Sequence, residues 1–188
     1  VIFPFSFREY LRHWGEEPDR PYARLRKAQR AAVQARLNQY LREGGFPEAV
    51  GLETADRREL LSVYVDSVIL RDVIERYQTN NVGVLRRLVR QLLANPGTPF
   101  SVNKFYNDLR SQGFSVSKDT LHAMLGYLED AFLVRTVPYF AHSQAQQRVH
   151  PRKVYPVDTG FIPFYTAPRP FPAGHALETC VLLELLRR

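Results

Sequence analysis

A chain of 188 residues with 45% hydrophobic content is long enough to bury a core and too apolar to be a disordered tail. Its 26 Lys and Arg against 19 Asp and Glu leave a formal net charge of +7, which favours phosphate-rich partners without naming one. No apolar run approaches the roughly 20 residues that cross a bilayer, Val1–Phe5 is too short for a signal core, and a lone Cys180 excludes an intramolecular disulfide, so a cytoplasmic address with no membrane partner is expected.

In chain order, Ser6 reads as the N-cap of a helix over Phe7–Trp14, with Glu9 closing a capping box. Residues 15–21 form a polar linker, and a long helix is predicted over Arg24–Arg42 with Val33, Leu37, Tyr40 and Leu41 as its apolar stripe. Gly44-Gly45 ends it through a left-handed backbone, and Phe46-Pro47 forces an extended turn. A continuous helix follows over Asp56–Tyr77, carrying Leu61, Tyr64, Val65, Val68 and Ile69 at helical spacing, and Thr79–Asn81 is a hinge.

Beyond the hinge, residues 83–94 predict a basic amphipathic helix that Pro96-Gly97 breaks, and Ser101–Ser111 a second helix ended by Gly113. Ser115 and Ser117 offer caps to a third helix, on which Leu121, Leu125, Leu128 and Phe132 share a face. Period-two patterning then predicts strands over Phe132–Val137 and Arg152–Val157, with residues 141–149 as the loop tip between them. Three helices followed by a two-stranded hairpin is the layout of a winged helix, which presents its third helix to a DNA major groove or serves as a packing module. Four prolines make residues 161–174 an irregular connector to a last helix over His175–Arg188. The predicted fold class is therefore mainly α with a small β wing, divided as a helical region 1–80, a winged-helix module 81–158, and a connector with a last helix 159–188.

Several chemistries are excluded by sequence. There is no glycine-rich loop ending in Lys-Ser or Lys-Thr, no dinucleotide fingerprint and no His-Glu-x-x-His. Cys180 lies among Val181 and Leu183 and reads as a buried, inert thiol. Glu178 and Glu184 are six residues apart, off one helical face, and cannot by themselves complete a metal-dependent nuclease.

For DNA, the exposed start of the third helix offers Ser115, Ser117, Lys118, Thr120 and His122, with Tyr127 further on, but Asp119, Glu129 and Asp130 make that helix net acidic. The basic groups lie elsewhere: Arg86, Arg87 and Arg90 on the first helix, and Arg148, His150, Arg152 and Lys153 around the wing. Such residues grip phosphates while discriminating little between bases. The alternative for Arg86, Arg87 and Arg90 is a solvated or salt-bridged helix face.

Six segments in order carry a family resemblance: FPFSFREYL (Phe3–Leu11), YLREGGFPE (Tyr40–Glu48), VYVDSVILRDVIERY (Val63–Tyr77), LEDAFLV (Leu128–Val134), KVYPVDTG (Lys153–Gly160) and LETCVLLELLRR (Leu177–Arg188). The chain resembles the portion after the nucleotide-binding core of prokaryotic AAA-type ATPases that carry a winged-helix region and a restriction-endonuclease-like C-terminal domain. The resemblance implies that Arg24–Tyr77 is a helical lid, that a core binding ATP and magnesium precedes Phe3 in the intact protein, and that residues after Lys153 or Leu177 begin a truncated nuclease-like domain. Glu178 matches an assisting glutamate of such nucleases, without the other ligands. Both ends are accordingly expected to be cut. The chain is expected to be a non-catalytic fragment with no cofactor of its own, contacting DNA non-specifically or packing on its own ATPase core, with oligomerisation open. A stand-alone winged-helix DNA-binding regulator is the alternative, and a nuclease remnant a third.

Overall fold

The computed structural model describes residues 3–140, 150–166 and 169–188. The protein is mainly helical with one small three-stranded antiparallel sheet. It divides into two compact units, one formed by residues 1–61 with 158–188 and the other by residues 62–157.

In the first unit, α1 (Phe7–His13) starts on the expected box: the Ser6 hydroxyl accepts from the Glu9 N–H, and the Glu9 carboxylate accepts from the Ser6 N–H at 2.7 Å. Helix α2 (Lys27–Glu43) starts later than its sequence pattern suggests, because Tyr22–Arg24 forms a separate 3₁₀ turn and Leu25 is extended. Its end follows from backbone chemistry. Gly44 adopts φ +82° and returns its N–H to the Tyr40 carbonyl, the left-handed stop that a side chain would penalise. Tyr10, Tyr40 and Leu41 pack with Ile162 from the short helix α7 (Ile162–Thr166) and with Ala176 and Cys180 from α8 (Ala173–Leu186). Helix α8 turns its opposite face, with Leu177, Val181 and Leu185, to solvent.

Helix α3 (Thr54–Ser67) passes from the first unit into the second and continues as a π-helical stretch, Val68–Glu75, with helical backbone reaching Tyr77, where the sequence pattern ends it. The second unit then contains α4 (Val82–Leu93), β1 (Thr98–Phe100), α5 (Val102–Ser111), α6 (Lys118–Asp130), β2 (Val134–Val137) and β3 (Arg152–Pro156). On α4, Val84, Leu85, Leu88, Val89 and Leu92 are each 3% exposed or less, so one face carries the core and Arg86, Arg87 and Arg90 point outward. Ser101 caps α5 and Ser117 caps α6, each accepting from the N–H three residues on. Leu121, Met124, Leu125 and Leu128 form the buried stripe of α6.

Two expectations are corrected. The sheet has a third strand, β1, in the order β1-β3-β2, because Thr98–Phe100 pairs antiparallel with Arg152–Val154; three residues after a Pro-Gly break are too few to show a period. Phe132 is not part of the core. It takes φ +55° one residue past the α6 cap, its N–H reaches the Glu129 carbonyl, and the Leu133 N–H reaches the Leu128 carbonyl. This paired closure turns the side chain at its left-handed position outward and the next one inward, so Leu133 is fully buried and Phe132 is 37% exposed. Residues 158–188 belong with residues 1–61 to one compact unit, and the division between the two units falls after Leu61, inside α3.

Candidate nucleic-acid interface

The second unit carries most of the excess charge. Residues 62–157 hold 12 Lys and Arg against seven Asp and Glu, a net +5 of the chain's +7. Part of that charge is engaged within the protein. Arg86 donates to Asp66 at 2.5 Å, and Arg87 donates to Gln112 at 2.8 Å while its guanidinium lies 4.5 Å from the centre of the Phe114 ring. Half-exposed pairs of the Arg86 kind contribute about 0–1 kcal/mol and occupy the cation's donors. Arg90, one turn on, is exposed, as is Arg152 at the start of β3. Lys153 is half-buried, opposite Val137 on one side and Pro99 on the other. Arg148 lies outside the described residues.

On α6, the candidate base-reading groups are largely occupied within the protein. The Ser117 hydroxyl accepts from the Thr120 N–H at 3.0 Å and pairs with the Thr120 hydroxyl at 2.8 Å, so both side chains serve the helix cap. The Lys118 ammonium sits 5.3 Å from the centre of the Tyr106 ring. His122 is exposed. At the other end of the helix, Tyr127 stacks on Tyr77 with centroids 3.7 Å apart and planes at 10°, and the Tyr77 hydroxyl donates to Asp130 at 3.0 Å. The stretch after α3 therefore covers the C-terminal half of α6 and leaves its first turns open. Tyr77 escaped the sequence pattern because nothing in spacing links residues 77, 127 and 130.

In the first unit, the group that sequence reasoning missed is Asp158. It is 2% exposed and accepts from the N–H groups of Gly45 and Gly160, both at 2.7 Å, while the Thr159 hydroxyl donates to the Tyr40 carbonyl at 3.3 Å. Burial pushes its carboxyl up to about 7, against the lowering effect of both backbone donors and of Arg187. A Cβ on Gly44 would meet Asp158 Oδ1 at 1.8 Å, and one on Gly160 would meet the Glu43 carbonyl at 2.5 Å, so two glycine turns close around one carboxylate. A lone acid inside the apolar run Val154–Ile162 is the sequence signal that marks it. The two glutamates of α8 face basic neighbours instead: Glu178 lies 4.0 Å from His175, and Glu184 lies 3.8 Å from Arg187. Cys180 is buried, which raises its thiol to about 11, with Glu184 adding to the shift. Among the described residues no cluster of three or more His, Cys, Asp or Glu comes together to hold a metal, and no helix is long and apolar enough to cross a membrane.

A model of the family described as "Domain of unknown function (DUF8612)" matches residues 34–167, and the chain belongs to that family. Over its whole length the chain is 28% identical to "Uncharacterized protein MJ1544" of Methanocaldococcus jannaschii and 27% identical to an "Uncharacterized protein" of Haemophilus influenzae. It spans 41% and 44% of those two relatives, about two fifths of their length. No solved structure matches.

Proposed function

For this member of the DUF8612 family, we propose that residues 62–157 form a winged-helix module that grips the backbone of duplex DNA without reading much sequence, as part of a longer AAA-type ATPase. The observation that carries this reading is the concentration of net +5 in the second unit, with Arg90 and Arg152 exposed there. Contact through such cations is driven by counterion release, which is indifferent to base order. A sequence-reading regulator draws less support, since Ser117 and Thr120 are engaged in the cap, Lys118 lies against Tyr106, and the far half of α6 is covered by Tyr77. In this proposal ATP and magnesium belong to the rest of the protein, and the chain by itself turns over no ATP; hydrolysis above background by the purified 188 residues would contradict that.

The DNA reading is tested by fluorescence anisotropy on two duplexes of unrelated sequence. Both are bound with similar Kd, Arg90→Ala and Arg152→Ala weaken both alike, and Arg86→Ala, whose guanidinium is held by Asp66, changes little. A preference for one duplex of about a thousandfold, the lower range for specific over non-specific sites, would favour the regulator instead.

A further inference from the structure

A pocket of about 210 Å³ opens in the second unit between the C-terminal end of α4, β1 and the first turns of α5. Its walls are of two kinds. Leu92, Phe100, Phe105 and Val154 supply apolar surface, with Phe100 and Phe105 as a tilted pair whose ring centroids are 5.6 Å apart. Gln91, Lys104 and Asp108 supply an amide, an ammonium and a carboxylate. Among the described residues, none of these three side chains has a hydrogen-bond or ion-pair partner. Arg152 is the cross-strand partner of Phe100, which puts the two side chains on the same face of the sheet.

The volume lies below the roughly 300 Å³ at which sites for drug-sized ligands begin, so the occupant is small. A flat apolar wall beside hydrogen-bonding groups of both polarities suits a nucleobase, which has a π-face and an edge of donors and acceptors. Cations at Lys104 and Arg152 suit phosphates on either side of such a base, and a free mononucleotide has only one.

We propose that this pocket takes one unpaired nucleotide of a nucleic-acid strand, its ring against Phe100, its edge at Gln91 and Asp108, and its flanking phosphates at Lys104 and Arg152. The inference rests on the reading of this unit as a nucleic-acid contact and deepens it: strand ends and tails are preferred over uninterrupted duplex.

The test uses the full 188-residue chain with a labelled blunt duplex, the same duplex carrying a short single-stranded tail, and deoxyguanosine monophosphate as competitor. The tailed duplex binds at least about fivefold more tightly, the lower end of what one stacked base contributes. Phe100→Leu and the exposed, fold-neutral Gln91→Ala remove that preference and leave blunt-duplex binding unchanged. Equal binding of the two duplexes overturns the pocket assignment while the duplex reading stands, and so does a preference that persists in both variants. Binding of neither overturns both. Displacement of the tailed duplex by the mononucleotide down to the blunt-duplex level overturns the assignment to a strand.

Discussion

Replacing Asp158 by Asn removes a titrating group that the fold holds at an unusual acidity, and the consequence is a change in how stability depends on pH. The carboxyl is raised from 3.8 to about 7 by burial. A group whose pKa rises on folding binds its proton more tightly in the folded state, so its contribution is fully present below about 3.8 and is lost as pH rises through about 7. The rise from 3.8 to about 7 corresponds to about 4 kcal/mol, of which about 3 kcal/mol falls between about pH 4.5 and about pH 7.5. The carboxyl of Glu9, lowered by its hydrogen bonds to Ser6, works in the opposite direction, but it is common to both proteins and cancels in their difference. The amide introduced by Asp158→Asn resembles the protonated acid but sets an NH₂ against one of the two backbone donors, a constant penalty of about 1–3 kcal/mol. The assay is urea unfolding followed by Trp14, the chain's one tryptophan, which lies in the first unit beside Tyr10 and Arg36 and so reports that unit. Wild-type stability should fall relative to Asp158→Asn across this window. Parallel curves for the two proteins would refute the buried, proton-binding carboxyl.

Gly44→Ala should cost more than about 3 kcal/mol by the same fluorescence assay, since its Cβ meets Asp158 Oδ1 at 1.8 Å at a backbone angle of +82°; a wild-type midpoint would contradict the close approach. Phe132→Gly should be neutral or stabilising by up to about 1 kcal/mol in helical circular dichroism melts, because it relieves a left-handed non-glycine position. A loss of about 3–5 kcal/mol, the range for emptying a core aromatic site, would return Phe132 to the interior. Ser117→Ala should cost about 1 kcal/mol as a lost N-cap, and no change would mean that the Thr120 N–H is satisfied otherwise.

The parts legible in the sequence are those set by local chemistry. Ser6, Glu9, Ser101, Ser117, Gly44 and Gly113 each mark a helix end where the structure has one, because caps and left-handed stops involve residues within four or five of each other. The stripe Leu121, Leu125 and Leu128 is equally plain from its spacing. What the sequence hides depends on distant partners. Strand β1 exists through pairing with residues more than 50 positions away, and Asp158 is defined by Gly45, 113 residues earlier. Phe132 and Leu133 are both apolar, and only the closure of the α6 end decides which of them turns inward. Of the residues chosen for DNA, charge identifies candidates, but it cannot show that Arg86 and Arg87 are engaged by Asp66 and Gln112 or that Ser117 and Thr120 cap their own helix.

Whether exposed cations of residues 62–157 hold duplex DNA by its phosphates is tested most directly by the salt dependence of binding. With about three phosphate contacts, Kd should weaken roughly 40-fold between about 50 and about 200 mM salt, and Arg152→Ala should reduce the slope of log K against log salt by about one. A Kd that does not change over that range, or a slope that Arg152→Ala leaves intact, would contradict it.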